Sequence, residues 1–209
     1  MSKTKLSRKE REHLGHKQEI LETALKLFSE RGFHNVSMQE IAEESEFSVG
    51  TLYKFFESKE SLFAALISSC ARRISDILLP ILDEKTDEKH KIVNYIEAYK
   101  QIIRDHASSI RLYLSRNLPS VSTLCADVEP ETDAIREVFQ EKLSDIFKSG
   151  MRKGIFRDID PWITTLSLSA ILESFVFSAI KSPEKISVED GISRIKELFF
   201  MGILKSLSI

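Results

Sequence analysis

The sequence predicts an all-α protein in which an amino-terminal three-helix head, carrying a helix-turn-helix, precedes a larger helical domain. Three observations carry this expectation. The chain is rich in Leu, Ile, Ala, Glu and Lys, with only seven Gly and five Pro in 209 residues and 42% apolar residues, enough for a substantial core. Its apolar residues recur at helical spacing, and no segment alternates at period two for long enough to make a sheet. Finally, Ser37 and Ser48 give two helix-start signals in close succession, the mark of a short helix, a tight turn and a second helix.

The first helix is predicted from about Lys17 to Arg31, with Ile20, Ala24, Leu27 and Phe28 as its core stripe, Leu21 and Leu25 widening it, and Gly32 ending it. Ser37 and Glu40 form a capping box for a second helix reaching about Ser45, with Met38, Ile41 and Ala42 on one face and Phe47 in the turn beyond. Ser48 then caps a third, whose Leu52, Phe55 and Phe56 point inward while Val49, Gly50, Thr51, Tyr53 and Lys54 point outward. Small residues on that outward face suit close approach to base edges in a major groove. Thr51 has the chemistry to meet a base edge, a thymine methyl or a phosphate, and Val49 offers apolar contact only. Ser58 caps a fourth helix, from Lys59 to about Leu79, which Pro80 kinks or stops. The start of that helix, with Lys59, favours an anion, as does the helix start at Ser37, for which a capping role alone is an equal reading.

Beyond a charged connection, Asp83 to Glu88, helices are expected near Lys89–Asp105 and Ala107–Arg116, then a loop from Asn117 to Pro130 and a long helix from about Glu131 to Arg152 with Ile135, Val138, Phe139, Leu143 and Phe147 inward. Asp160 as cap with Pro161 at the first helical position starts the next helix. The last two, about Pro161–Ile180 and Val188–Leu207, are unusually apolar, and the stripe Ile192, Ile195, Leu198, Phe199 and Ile203 calls for a partner surface or for burial within one chain. The expected division is residues 14–74, with a helix-turn-helix core at 37–56, and residues 75–209.

The net charge of −2 does not announce a nucleic-acid partner, and residues 1–60 hold ten Lys/Arg against eleven Asp/Glu. Positive charge is concentrated instead: Lys3, Lys5, Arg8, Lys9, Arg11 and Lys17 against Glu10 and Glu12 leave the first 17 residues at +4, which suits either a DNA-contacting arm or a solvated tail. Two distant cysteines, Cys70 and Cys125, with no secretory signal, fit a reducing cytoplasm. Trp162 to Ile180 has the length to span a bilayer. Its Thr164, Thr165, Ser167, Ser169, Ser174, Ser178 and Glu173 make a helix buried in protein the better reading, with no membrane partner. Enzyme chemistry is not expected. Glu10-Arg11-Glu12-His13 has the E-x-x-H spacing of di-iron bundles but no second copy, and there is no P-loop, G-x-G-x-x-G or nucleophile elbow; no metal and no cofactor are implied.

The run Ile41-Ala42, Ser48, Gly50-Thr51-Leu52-Tyr53, Phe56 and Ser58-Lys59-Glu60 with Leu62 resembles the DNA-binding signature of the TetR family of bacterial transcriptional regulators. Ala24 to Phe33 resembles that family's first helix and following turn, and Gly150 to Pro161 is similar to its approach to the penultimate helix. One departure stands in the inter-helix turn, where the family usually has Gly and then a small aliphatic. Here Glu46-Phe47 puts a non-glycine where a left-handed conformation is required. Phe55 also sits where relatives often carry His or Tyr, so packing is its expected role.

The resemblance implies a homodimeric repressor of a near-palindromic, double-stranded DNA operator, with half-sites about one helical turn (~34–36 Å) or somewhat more apart. It also implies release by an apolar or amphipathic small molecule. The alternative is a DNA-binding regulator without a small-molecule ligand, controlled by a protein partner. Carried onto this chain, the DNA contacts fall on Ser37, Ser48, Val49, Gly50, Thr51, Tyr53, Lys54 and Lys59, with Tyr53 on a phosphate. A ligand pocket falls on Tyr95, Tyr99, Tyr113, Trp162, Glu173, Phe175 and Phe177. Dimer contacts fall on Trp162, Leu166, Phe177, Ile195, Phe199 and Ile203.

Overall fold

The computed structural model describes residues 7–115 and 129–204. In chain order its helices are α1 (Arg8–Arg31), α2 (Met38–Glu44), α3 (Val49–Phe55), α4 (Lys59–Leu82), α5 (Glu88–Ser115), α6 (Glu129–Arg152), α7 (Pro161–Lys181) and α8 (Val188–Ile203), with one 3-10 turn at Phe33–Asn35. Among the described residues the nearest approach to a sheet is a lone antiparallel bridge between Phe156 and Leu204. The chain divides into two compact units at Ser69 and Cys70, inside α4, and the end of α5 from Leu112 returns to the first.

In the first unit α1 starts nine residues earlier than expected, at Arg8 rather than about Lys17. Ser7 and Glu10 form a capping box: Glu10 N donates to Ser7 Oγ at 3.2 Å, and Ser7 N donates to Glu10 Oε2 at 2.7 Å. Gly32, at φ 79°, ends the helix as predicted, its N–H donating to the Phe28 carbonyl. Ile20, Ala24, Leu27 and Phe28 are buried, as are Ile41 of α2, Leu52 of α3 and Phe56 just after it. Phe28, Phe33 and Phe63 form an aromatic knot with ring centroids 5.0–5.6 Å apart, which fixes α4 against the end of α1.

In the second unit α4 runs past Pro80 to Leu82, so Pro80 occupies its last turn instead of stopping it. Leu78 and Leu82, both 2% exposed, bury on either side of the proline. Their burial offsets the single helical hydrogen bond that proline forfeits. Helix α5 breaks at His106 (φ −129°, ψ 24°), the joint expected between two shorter helices. Val138, expected inward on α6, is exposed. The described part of α8 ends at Ile203; the reading to Leu207, the 117–128 part of the expected loop, Cys125 and the arm residues Lys3 and Lys5 lie outside the described residues. Cys70 is buried, and burial pushes its thiol up.

The Gly150–Pro161 junction has a steric logic of its own. A Cβ on Gly150 would lie 2.3 Å from Phe156 Cδ2, so only glycine admits that ring, which is 1% exposed and packs on Phe147. Gly154, at φ 72°, turns the chain, and Arg157 N then donates to the Ile203 carbonyl at 2.7 Å. Asp160 caps α7 through Ile163 N at 2.8 Å.

Candidate nucleic-acid interface

The two short helices of the motif are held by local chemistry before any tertiary packing acts. Ser37 accepts from Glu40 N at 3.2 Å, while Ser37 N and Oγ both donate to Glu40 Oε2 at 2.8 Å. These bonds from Ser37 hold the Glu40 carboxyl below the usual carboxylate range. The Ser37 hydroxyl is therefore already engaged in capping. In the turn, Glu46 takes the left-handed conformation that the family resemblance implied, at φ 59°. Phe47 N donates to the Ala42 carbonyl at 2.9 Å and closes the turn. The family spacing is kept despite the missing glycine.

Helix α3 is capped by Ser48, whose Oγ accepts from Thr51 N at 3.1 Å and pairs with Thr51 Oγ1 at 2.8 Å. Leu52 and Phe56 are buried; Ser48, Gly50, Tyr53 and Lys54 are exposed; Val49, Thr51 and Phe55 are half-buried. The outward face is thus the one expected, except that Phe55 lies to the side, stacked on His13 with centroids 4.5 Å apart. Gly50 stands out on this face. A Cβ there would meet nothing nearer than Ser48 Oγ at 3.9 Å, and its φ is not left-handed. Neither packing nor backbone geometry asks for glycine, which costs a helix interior roughly 0.5–1 kcal/mol relative to Ala and less at this second position of α3.

Lys59 has a more internal position than the sequence implied. Its Nζ donates to the carbonyls of Phe33 and Val36, both at 2.9 Å, and lies 4.1 Å from the Phe33 ring centroid. It ties the α1–α2 connection to the first turn of α4, where Ser58 caps through Ser61 N. One of its three donors remains for an anion. His16 against Phe47 (5.1 Å) and Lys17 over Phe56 (5.6 Å) complete a row of α1 side chains along the motif. From the sequence His13 carried only a metal-ligand spacing; the signal available was its place on the helical sector that holds the buried Ile20.

The residues assigned to ligand and dimer contacts differ in burial. Tyr95 is buried, with its hydroxyl 3.2 Å from that of Tyr99. Burial pushes the Tyr95 phenol up to about 12, with the Tyr99 hydroxyl opposing the shift and the Glu173 charge adding to it, so Tyr95 stays neutral. Phe175 is half-buried against Gly191, where a Cβ would sit 2.2 Å from its ring. Trp162, Leu166, Glu173 and Phe177 are exposed along one face of α7. The Tyr113 side chain lies outside the described residues. Phe199 and Ile203, expected at a dimer contact, are each 6% exposed and belong to their own chain's core, and Ile195 is half-buried. Of the apolar stripe read on the last helix, Ile192, Phe199 and Ile203 face inward, whereas Leu198 lies on the exposed side with Met201, at 66% and 75% exposure. By length and composition α7 is apolar enough to cross a membrane, but Thr165, Leu168, Leu172 and Val176 are buried in the unit's own core.

Capped short helices, a closed turn and an outward small-polar-aromatic-basic face define a helix-turn-helix DNA-binding head. Residues 20–66 match the profile described as "Bacterial regulatory proteins, tetR family". The chain belongs to the TetR family of DNA-binding transcriptional regulators. Among its relatives, the HTH-type transcriptional regulator RutR of Escherichia coli (strain K12) is 30% identical over 148 residues, 69% of this chain and 66% of that protein. The uncharacterized HTH-type regulator YerO of Bacillus subtilis (strain 168) is 26% identical over 162 residues, 74% of this chain but 52% of that protein, so the chain spans only about half of it. The crystal structure of AibR in complex with isovaleryl coenzyme A and operator DNA superposes with a TM-score of 0.71, covering 90% of this chain and 97% of that one at 20% identity, a likeness of fold.

Proposed function

We propose that this protein is a homodimeric repressor that holds a near-palindromic operator through α3 and is released by a small apolar or amphipathic ligand. Gly50 carries the reading: a helix-weakening residue on an exposed face, with no internal reason for it, marks where another molecule must come close. Val49, Gly50 and Thr51 meet base edges, Tyr53 and Lys54 reach flanking phosphates, and the helix starts at Ser48 and Ser37 present amides to the backbone. Lys59 supports this surface by position and offers its remaining donor to a phosphate. Dimerisation uses the exposed strip Trp162, Leu166 and Phe177 of α7 with Leu198 and Met201 of α8, an apolar surface that a second copy would cover. The paired Tyr95 and Tyr99 hydroxyls, set in an apolar core, supply the polar end of the ligand site. AibR's acyl-coenzyme A complex makes acyl thioesters the first probes. A chromosomal target places the protein in the cytoplasm.

The test is selection of duplexes from a randomised pool by the purified chain, followed by addition of acyl-coenzyme A thioesters and other amphiphiles to the complex. The proposal expects an inverted repeat to be enriched and at least one amphiphile to release it. A selected duplex that no small molecule releases would favour a regulator controlled through a protein partner.

A further inference from the structure

The sector of α1 that enters the core at Ile20 continues toward the helix start, where its residues are exposed. Viewed down the helix, Lys9, His16, Lys17 and Ile20 all project within about 60° of His13. Ile20 is fully buried, so the same sector that enters the core at Ile20 carries imidazole and ammonium groups over the two turns before it. Those groups lie along the motif: Lys17 over Phe56, His16 on Phe47 and His13 stacked on Phe55 at an interplanar angle of 30°. The one acid at the edge of the sector, Glu10, has its carboxylate turned back onto the Ser7 amide, and Arg8 pairs with Glu12 on another face. His13 and His16 remain exposed, and among the described residues no hydrogen bond engages either ring.

Phe55 follows Thr51 by one turn on α3, so it borders the reading face, yet its side chain has no donor. His13 brings a ring N–H to that spot from another helix, held flat by the phenyl ring. We infer that the first turns of α1 extend the DNA interface, with His13 donating to a backbone phosphate that α3 itself cannot reach at Phe55. Lys9, one turn earlier on the same side, adds charge along the same strand. A duplex is the partner that fits, because the strip carries the lysines Lys9 and Lys17, is continuous with the motif and offers ring and ammonium N–H donors. The inference rests on the DNA-reading role of α3.

The experiment uses the full chain and the duplex that the wild type enriches from a random pool. His13→Phe keeps the stack on Phe55 and removes both ring nitrogens, and His13→Gln keeps a donor. Affinity is read by fluorescence anisotropy, contacts by phosphate-ethylation interference, and folding by thermal melting. The expected result is a fivefold to tenfold loss of affinity for His13→Phe, disappearance of one phosphate per half-site from the interference pattern, an unchanged melting midpoint and partial rescue by His13→Gln. Wild-type affinity in His13→Phe overturns the inference, and so does weakened binding with the full interference pattern, which would mark a packing role. Failure of the wild type to enrich any duplex would instead bring down the DNA-binding reading itself, and this inference with it.

Discussion

Replacing Gly50 by Ala should move stability and function in opposite directions. The added methyl finds open space in the isolated protein, its nearest neighbour being Ser48 Oγ at 3.9 Å, an ordinary contact. Helix propensity then acts alone and stabilises α3 by up to about 0.5 kcal/mol, less than in a helix interior because Gly50 is the second residue of α3. Hydrogen exchange of the amides in Val49–Phe55 should slow by up to about twofold as local opening becomes rarer. With DNA present the same methyl stands between the helix backbone and the groove. Overpacking of a close contact costs roughly 1–3 kcal/mol, so affinity for the selected duplex should fall about tenfold or more. Wild-type affinity alongside slowed exchange would show that nothing approaches Gly50, and the placement of α3 in the groove would fail.

Other outcomes follow from the same geometry. Lys59→Ala removes two charge-assisted hydrogen bonds and the contact with the Phe33 ring. It should destabilise the head by about 2 kcal/mol, seen as faster exchange across α1–α4 without DNA; unchanged exchange with weakened binding would make Lys59 a phosphate contact only. Tyr53→Phe deletes a hydroxyl from a side chain that is 51% exposed, and should cost about 1 kcal/mol of affinity on every duplex while leaving the melting midpoint unchanged. Glu46→Gly relieves a left-handed residue at φ 59° and should raise the melting midpoint by the equivalent of about 0.5–1 kcal/mol, the unfolded-state entropy of glycine taking back part of the gain; a lowered midpoint would contradict this.

Glu88 gives a pH-dependent prediction. Its side chain is 10% exposed; burial pushes the carboxyl up, but bonds from Lys153 Nζ at 2.6 Å and Ser149 Oγ at 2.7 Å outweigh burial and hold it below the usual range. A depressed carboxyl stabilises the fold above its unfolded pKa and loses that contribution as pH falls through the folded one. Lys153→Met should therefore cost about 1–2 kcal/mol at neutral pH, a modest figure because the lysine is 61% exposed, and the gap to wild type should close in acid. A gap that is constant with pH would refute the ionic account.

Much of the motif was legible because its determinants are local. Ser37 with Glu40, Ser48, Ser58 and Asp160 each cap a helix within three residues, whereas the left-handed Glu46 was implied only by the glycine that the resembled family usually carries in that turn. The capping box at Ser7 and Glu10 was equally present, but the polar run after it lacks an apolar stripe, which hid nine residues of α1. What could not be read was non-local. Periodicity finds the apolar face of α8 but not whether it meets its own chain or another, so the inward Phe199 and Ile203 were read as surface while Met201 went unnoticed. Lys59 looked like a free cation because its carbonyl partners lie 23 and 26 residues away. The contact of His13 with Phe55 likewise depends on how α1 crosses α3.

The most direct test of a twice-presented α3 is a hydroxyl-radical footprint of the full chain on its selected duplex. The account predicts two protected patches on one face of the DNA, related by two-fold symmetry and about 34–36 Å or modestly farther apart, both lost when Tyr53 and Lys54 are replaced together by Ala. A single patch, or protection that survives that double replacement, would contradict it.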